Sequence, residues 1–335
     1  MILQFDRLQS VINGAVSCSN EEDGVLLHRF TSEQEELYKS YNEDFYKKTF
    51  ASAGIQINLV TDAEKLDLKI ATASGSSRKF FSCDLFVNGS FFDALDNFSD
   101  KDIPKYYAGM DGTLGEYRKT FDLGKGKKRL DLYLPWSVAV KIQTFDLQNA
   151  TFYSPVKYGK KLLAFGDSIT HGYDALRPSN HYATLLAKAL DAELINKGIG
   201  GEVFFPPLAK TKESFVPDYI TVAYGTNDWS CRDEKTYREN CRAFYKALCE
   251  SYPKSKIFAI TPIWRVDYQR ERPFGDFLKV PSVIREEVND LPVTVIDGYS
   301  FVPEREEAFA DAYVHPNDES FRRYFEGLYA EIKKY

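Results

Sequence analysis

Features that would mark a membrane, secreted or nucleic-acid-binding protein are missing from this sequence. No apolar run approaches the ~20 residues of a membrane-spanning helix. The first residues, 1–7, contain no basic segment followed by an apolar core, so no signal peptide is predicted. The net charge is −6 with both signs interspersed, and no basic surface for nucleic acid is expected. Neither a membrane nor a nucleic acid is therefore predicted as a partner.

Cysteine and histidine are both scarce. The odd number of cysteines, five, and the absence of a Cys-x-x-Cys pair favour reduced thiols in a cytoplasmic protein. The four histidines are scattered, without a His-x-x-x-His or His–Cys cluster, so no metal site is predicted. No Gly-x-Gly-x-x-Gly segment opens a helix after a strand, and no dinucleotide cofactor is expected.

What is present fits a soluble protein of two domains, the expectation for 335 residues. The first half contains short runs of alternating polarity separated by turn clusters. This pattern predicts an antiparallel β-sandwich. Ser32-Glu33-Gln34-Glu35 resembles a capping box and predicts one short helix there. The strand-like runs are residues 54–60, 66–71, 79–87, 117–121, 129–134 and 138–144.

The pattern changes after a polar junction at residues 154–160. Apolar runs at 162–165, 192–195, 219–223, 257–260 and 293–296 alternate with segments in which apolar residues recur every three or four positions, such as 182–190 and 237–248. Strand–helix alternation predicts a three-layer α/β domain with a mainly parallel sheet. The predicted domains are therefore 1–155, the β-sandwich, and 156–335, the α/β unit.

Four short blocks of polar residues and glycine follow or lie near these strands. Gly166-Asp167-Ser168 ends the first strand, and a serine there faces the crevice where open α/β sheets bind ligands. The later blocks are residues 196–201, 225–228 and 315–317. Asp167 is expected to hold the turn through nearby backbone. Asn227, in the third block, can donate its amide into the crevice or form an Asx-turn with Asp228.

A serine is a weak nucleophile until a base takes its proton, so the histidines matter. His28 is expected to be a surface or core residue, His171 a pocket-wall residue, and His181 a helix cap or surface group. His315 precedes Pro316, which holds it extended and starts a turn. Its place after the last strand lets it fold over the sheet edge toward Ser168.

The order Gly-Asp-Ser, Gly, Gly-x-Asn-Asp, His-Pro resembles the SGNH (GDSL-type) hydrolases over about half the chain. The resemblance implies a flavodoxin-like fold, Ser168 as nucleophile and His315 as base. The implied oxyanion hole is formed by Ser168, Gly201 and Asn227, although Gly200 is adjacent. Runs 82–87 and 130–136 resemble the jelly-roll domain of two-domain carbohydrate esterases, which could bind carbohydrate, shape the pocket or serve only as a packing module.

The acid departs from the family pattern. The family usually has Asp three residues before the histidine, where this chain has Ala312, and Asp311 lies one residue further back. Either a local bulge lets Asp311 reach His315, or a backbone carbonyl or water orients the imidazole, as in the Ser–His dyad of some relatives. Asp311 is the predicted acid.

The resemblance predicts a cytoplasmic serine esterase that hydrolyses small acyl esters, with O-acetyl groups on carbohydrates as the predicted substrate. The substrate is then a small-molecule or oligosaccharide ester. Trp229 and Trp264, near the motifs, are either exposed aromatic residues for a sugar or core residues. An acyltransferase, a thioesterase or lipase for longer acyl chains, and a carbohydrate-binding protein with a decayed site remain alternatives.

Overall fold

A computed structural model describes residues 1–335, in which two antiparallel sheets precede one parallel sheet. The strands are β1 (Ile12–Asn13), β2 (Ser17–Glu21), β3 (Gly24–His28), β4 (Gln56–Thr61), β5 (Lys65–Ser74), β6 (Ser82–Val87), β7 (Ser90–Asp96), β8 (Glu116–Asp122), β9 (Lys128–Tyr133), β10 (Val138–Gln148), β11 (Tyr153–Pro155), β12 (Lys160–Gly166), β13 (Ala192–Asn196), β14 (Tyr219–Ala223), β15 (Lys256–Ile260) and β16 (Val293–Ile296).

The helices are α1 (Phe5–Val11), α2 (Ser32–Tyr41), α3 (Glu43–Thr49), α4 (Ser168–His171), α5 (Tyr182–Ala189), α6 (Pro206–Lys210), α7 (Thr226–Cys231), α8 (Glu234–Ser251), α9 (Val280–Val288) and α10 (Asp318–Ile332). The two longest helices, α8 and α10, are both in the second half. No helix combines the length and apolar composition that a membrane span requires.

The first half forms the antiparallel structure that the alternating runs predict. One sheet has the order β1-β4-β9-β6-β7, with β11 also paired to β4, and the other has the order β2-β3-β10-β5-β8. Alternate side chains of both sheets, such as Ile57, Leu132, Leu68 and Val140, are buried in one apolar core. The predicted antiparallel sheets are confirmed, whereas the jelly-roll resemblance stays a prediction.

The second half is built on a five-stranded sheet of order β13-β12-β14-β15-β16, with every pairing parallel. Numbered within this half, the order is 2-1-3-4-5, the flavodoxin-like arrangement, in which ligands bind at the carboxyl ends of the strands where the order reverses. Helices α5 and α10 cover one face, and α8 and α9 cover the other. The three-layer α/β prediction is confirmed.

The segment around α2 and α3 packs against the parallel-sheet half, although it lies early in the chain. Phe30 and Tyr38 are buried in the core beneath α8, together with Leu163 of β12. The capping box of α2 lies one residue earlier than predicted, because it is formed by Thr31 and Gln34. The domain boundary at residue 155 stays a prediction, because this segment precedes it in the chain but packs in the core of the second half.

Candidate active site

Ser168 lies at the carboxyl end of β12, at the point where the strand order of the parallel sheet reverses. A side chain at Gly166 would collide with Thr170 and come within 2.9 Å of the Ala223 carbonyl oxygen, so the turn requires glycine. As predicted for this turn, Asp167 Oδ1 accepts a hydrogen bond from the Ile169 amide at 2.9 Å. Ser168 is the first residue of α4, and its amide therefore has no acceptor within the helix.

The structure brings His315 to Ser168 from 147 residues away. His315 Nε2 lies 2.9 Å from Ser168 Oγ. The His315 segment is held by a main-chain hydrogen bond from Ala310 N to His315 O at 2.9 Å and by a bridge between Phe309 and Pro316. The strand-to-serine turn and the histidine loop thus meet at one edge of the sheet.

Asp311 lies within hydrogen-bond distance of His315, with Oδ2 at 2.8 Å from Nδ1. The intervening Ala312 has φ 56°, a left-handed backbone conformation that is uncommon for a non-glycine residue. This distortion turns the chain so that Asp311 Oδ1 accepts hydrogen bonds from the amides of Tyr313, Val314 and His315 at 2.9, 2.9 and 3.0 Å. Of the two alternatives left open by the sequence, the structure has the local bulge.

A second carboxylate, not predicted from the sequence, lies on the same side of the imidazole. Asp174 Oδ2 is 3.1 Å from His315 Nδ1, and the Asp174 side chain is fully buried. Arg78, from the loop between β5 and β6, holds it with a bidentate pair: Nε to Oδ1 at 2.7 Å and Nη2 to Oδ2 at 2.9 Å. No local pattern around Asp174 or Arg78 marks this contact, which joins residues 96 positions apart.

The charges at the site shift all three pKa values. Burial lowers the pKa of His315, but the hydrogen bonds and charges of Asp174 and Asp311 outweigh it and raise the value to about 9. Burial raises the pKa of Asp311, but the hydrogen bond and charge of His315 bring it down to about 2. The pKa of Asp174 is also lowered, because His315 and Arg78 outweigh its burial. The arrangement favours a charged imidazolium beside two carboxylates.

Gly201 lies in the loop after β13 and Asn227 in the first turn of α7, directly after β14, so both are at the carboxyl edge of the sheet. Gly201 has φ 88°, and its main-chain amide donates no hydrogen bond within the protein. Asn227 Nδ2 donates to the main-chain oxygen of Glu202 at 2.9 Å, which ties α7 to the Gly201 loop and leaves the second N–H of the amide available. The side-chain oxygen of Asn227 accepts no main-chain hydrogen bond, so Asn227 forms no Asx-turn with Asp228; Asp228 Oδ1 accepts from the Phe204 amide at 3.0 Å.

The Gly201 loop is supported by buried polar groups that sequence reasoning missed. Glu202 accepts hydrogen bonds from the hydroxyls of Tyr38 and Tyr224, the latter at 2.6 Å. Burial raises the pKa of Glu202 to about 8, although both hydroxyls oppose the shift. Lys48 Nζ donates to the Gly200 carbonyl oxygen at 2.9 Å. Helices α2 and α3, from the first half of the chain, therefore help to shape this loop.

Other predicted residues have structural places. His171 is fully buried rather than a pocket-wall residue, with Nε2 at 2.9 Å from the Trp136 carbonyl oxygen and Nδ1 accepting from the Gly200 amide at 3.3 Å. His181 occupies the N-cap position of α5, as predicted, but its side chain makes no capping hydrogen bond: it is buried, with Nε2 at 2.8 Å from the Ile169 carbonyl oxygen. His28 is half-buried beside Glu35. Its Nδ1 lies 2.8 Å from Glu35 Oε1.

The two tryptophans are not exposed platforms. Trp229 and Trp264 are 0% and 8% exposed. Trp229 packs against Phe277, and Trp264 against Phe309. The sequence left open whether these residues are exposed or in the core. Both belong to the core, because α7 and the loop after β15 turn them inward.

One cluster has the composition of a metal site. Ligand atoms of Asp174, Asp311 and His315 lie within 4.8 Å of one another. The same atoms already contact each other, and the Arg78 guanidinium binds both oxygens of Asp174. The structure thus accounts for these groups without an ion, and the absence of a metal stays a prediction.

Comparisons with known proteins agree with this fold and this set of blocks. Residues 164–323 match the family model of the GDSL-like lipase/acylhydrolase family. No curated protein has a sequence that matches this chain. The salicylyl-acyltransferase SsfX3 from a tetracycline biosynthetic pathway is similar in structure, with a TM-score of 0.77 and 19% identity over 96% of this chain and 94% of that one.

Two carbohydrate esterases are also similar. A family two carbohydrate esterase from Clostridium thermocellum, in complex with cellohexaose, has a TM-score of 0.63 and 18% identity over 85% of this chain and 93% of that one. An acetyl xylan esterase from the rumen bacterium Butyrivibrio proteoclasticus has a TM-score of 0.61 and 17% identity over 97% and 95%. At these identities the likeness shows the fold alone, which both halves of the chain share with these proteins. The family match is confined to the second half: residues 164–323 form a GDSL-like lipase/acylhydrolase domain, which supports an ester hydrolase.

Proposed function

We propose that this protein is a serine ester hydrolase in which Ser168 is the nucleophile, His315 the general base and Asp311 the acid that orients it. One observation carries the proposal: Oγ of Ser168, the two ring nitrogens of His315 and the Asp311 carboxylate form a continuous chain with contacts of 2.9 and 2.8 Å. A nucleophile, a base and an orienting group within such distances are what acyl transfer to serine requires.

In the first step, Ser168 Oγ attacks the ester carbonyl while its proton passes to His315 Nε2. The imidazolium that forms is stabilised by Asp311, and the amides of Ser168 and Gly201 with Asn227 Nδ2 donate to the oxyanion. When the tetrahedral species collapses, the C–O bond to the alcohol breaks and His315 returns the proton to the leaving oxygen. Water then attacks the acyl-enzyme by the same route and releases the acid and free Ser168.

The substrate we propose is a small acyl ester, specifically an O-acetyl group on a carbohydrate. The similar acetyl xylan esterase and the carbohydrate esterase seen with cellohexaose support this choice. Aromatic rings also border the oxyanion loop. A Cβ at Gly201 would lie 3.6 Å from Phe45, and exposed Tyr41 stacks on Phe205 with ring centroids 4.4 Å apart. These rings offer a sugar the apolar contact surface that the two tryptophans do not.

The observations weaken one alternative function, the decayed site, and keep another, the acyltransferase. The decayed-site alternative rested on Ala312 in place of the usual acid, and the contact between Asp311 and His315 removes that argument. The similar salicylyl-acyltransferase keeps transfer to an acceptor other than water as a second candidate. We also infer a cytoplasmic location, which the five unpaired cysteines support.

Labelling with a fluorophosphonate tests the nucleophile. We expect the purified protein to be labelled at Ser168 and the Ser168→Ala variant to lose both labelling and nitrophenyl acetate hydrolysis, with Tm nearly unchanged. Ser282→Ala, at an exposed position in α9, is the matched control and should keep both. Full hydrolysis by Ser168→Ala would overturn the serine mechanism.

The substrate class is tested separately with acetylated sugars and with nitrophenyl esters of two, four and eight carbons. An acetyl esterase should prefer the two-carbon ester and release acetate from acetylated xylose or cello-oligosaccharides. A preference for eight carbons would favour a lipase or thioesterase instead. Accumulation of a new ester when an alcohol is added, with little free acid, would favour the acyltransferase.

A further inference from the structure

Asp174 is a buried carboxylate that the three-residue chain of Ser168, His315 and Asp311 does not use. Its Oδ2 lies 3.1 Å from His315 Nδ1, close to the 2.8 Å of Asp311 Oδ2, and its side chain has no exposed surface. Because an unpaired buried charge is costly, its position requires partners that repay its desolvation. Those partners are the imidazole on one side and Arg78 on the other.

Arg78 comes from the antiparallel half and approaches Asp174 as a planar fork. Its Nε and Nη2 bind the two carboxylate oxygens at 2.7 and 2.9 Å, the bidentate geometry that fixes orientation as well as charge. The guanidinium also lies over the ring of Tyr173, 5.6 Å from its centroid. The Tyr173 ring is in turn 5.3 Å from that of His315.

The backbone around Asp174 is clamped by the same half of the chain. Asp174 itself has φ 64°, a left-handed conformation that a tertiary contact must stabilise. Trp136 Nε1 donates to the Ala175 carbonyl oxygen at 2.7 Å, and the Ser77 amide donates to the Tyr173 hydroxyl at 3.3 Å. The turn after α4 therefore takes its conformation from residues of the β5–β6 loop and of the segment after β9.

We propose that Asp174 is a second carboxylate that stabilises the imidazolium form of His315 during acyl transfer, and that Arg78 is the residue that positions it. This inference rests on the proposed function, in which His315 is the base. It gives the antiparallel half an indirect part in the reaction, because Arg78 acts through Asp174 on the basicity of a residue in the other half.

The other groups that face His315 bear on its titration. They are Ser168 and Asp167 after β12, Tyr173 and Asp174 from the turn after α4, and Asp311 from its own loop, with Arg78 as the cation paired to Asp174. Of these, Asp174 and Asp311 are the two carboxylates within 3.1 Å of Nδ1. Removal of the Asp174 charge should therefore make His315 a weaker base, which means that its pKa should fall.

The test compares the pH dependence of kcat/KM for nitrophenyl acetate, and of fluorophosphonate labelling of Ser168, in the wild-type protein and in Asp174→Asn. Asparagine tolerates the left-handed conformation at this position, so the variant removes charge with little change in backbone. We expect the midpoint of the alkaline rise to move about one unit or more to lower pH, since an opposite charge at this distance shifts a pKa by about 1–3 units. The plateau of kcat should fall about tenfold.

Arg78→Gln tests the positioning role. It should lower kcat several-fold with KM nearly unchanged, Arg78→Lys should recover part of the loss, and neither change should matter once Asp174→Asn is present. Arg118→Gln and Asp67→Asn are matched controls, because they alter a similar bidentate pair in the antiparallel half, with contacts of 3.0 and 2.6 Å. They should leave the pH profile unchanged.

An unchanged pH profile in a folded Asp174→Asn variant would overturn the role of Asp174. If the loss of kcat in the double variant equals the product of the losses in Arg78→Gln and Asp174→Asn alone, Arg78 does not act through Asp174 and its proposed role is overturned. If Asp174→Asn does not fold, the Arg78 variants decide, and full kcat in Arg78→Gln then counts against the proposal. Failure of the proposed function is distinct, because wild-type protein would then show no hydrolysis that depends on Ser168.

Discussion

Asp311 holds His315 at two points, through the backbone and through the side chain. Its Oδ1 accepts a hydrogen bond from the His315 amide at 3.0 Å, and its Oδ2 lies 2.8 Å from Nδ1. One carboxylate thus closes the loop that carries the histidine and orients the ring within it. The four-residue spacing between acid and base is compensated by the left-handed backbone of Ala312.

Replacing the Asp311 carboxylate by an amide should disable the base while keeping the loop closed. We expect Asp311→Asn to lower kcat about 10³–10⁴-fold, because the imidazole takes the wrong tautomer when its acid becomes an amide. Asp62→Asn is a matched control: Asp62 also accepts two main-chain amides, from Thr151 and Phe152, but in the antiparallel half. A loss within about tenfold for Asp311→Asn would mean that another group orients the ring.

The backbone at Ala312 can be tested with two substitutions of opposite effect. Valine is strongly disfavoured at a positive φ, so Ala312→Val should displace Asp311 and lower kcat about 100-fold or more. Ala312→Gly accepts this conformation and should keep activity within about threefold. Equal activity of the two variants, measured with nitrophenyl acetate, would show that the left-handed turn is not required.

Asn227 should act mainly in the transition state. Asn227→Ala removes one donor to the oxyanion and should lower kcat about 10²–10³-fold with little change in KM. Because Asn227 also ties α7 to the Glu202 carbonyl, Tm should be measured in parallel. A drop in Tm that accounts for all of the lost activity would assign the residue a structural role instead.

Stability should depend on pH through Glu202. Burial raises the pKa of Glu202 to about 8, above its ordinary value, so the folded state keeps the proton that the unfolded state releases. This contribution is fully present below about pH 4.5 and is lost as the pH rises to about 8. The free energy of unfolding in urea should therefore fall less between pH 5 and 8 in Glu202→Gln than in wild type. An equal fall in the free energy of unfolding in both proteins would contradict a Glu202 carboxyl that is protonated in the folded state.

The two halves should not fold independently as residues 1–155 and 156–335. Phe30 and Tyr38 fill the core beneath α8, and fully buried Arg29 donates to the carbonyl oxygens of Asn196 and Gly198 at 2.7 and 3.2 Å. A fragment of residues 156–335 would expose this core and leave those carbonyl groups unpaired. We expect it to lack a cooperative thermal transition and fluorophosphonate labelling. A fragment that unfolds cooperatively and is labelled would show a self-sufficient domain.

Local sequence patterns were sufficient for the architecture. Alternation with a period of two predicts the antiparallel sheets, and apolar runs followed by helical stripes predict the parallel one; β14 (219–223) and β16 (293–296) have the predicted bounds. These signals are local because each strand or helix must present an apolar face to whatever core it joins. Ser168 and Asn227 were found in the same way, since residues at the carboxyl ends of parallel strands meet at one edge of a sheet.

Contacts between distant segments were decided by tertiary structure alone. Arg78 meets Asp174 because the β5–β6 loop docks against the turn after α4, and neither segment specifies that docking by itself. The inward direction of Trp229 and the burial of Glu202 between two tyrosines have the same origin. The sequence by itself determined the two kinds of sheet and which residues stand at the strand ends. The local backbone at Ala312 decided that Asp311 reaches His315, whereas the position of Asp174 depends on packing between the two halves, because Arg78 binds it only where the β5–β6 loop docks.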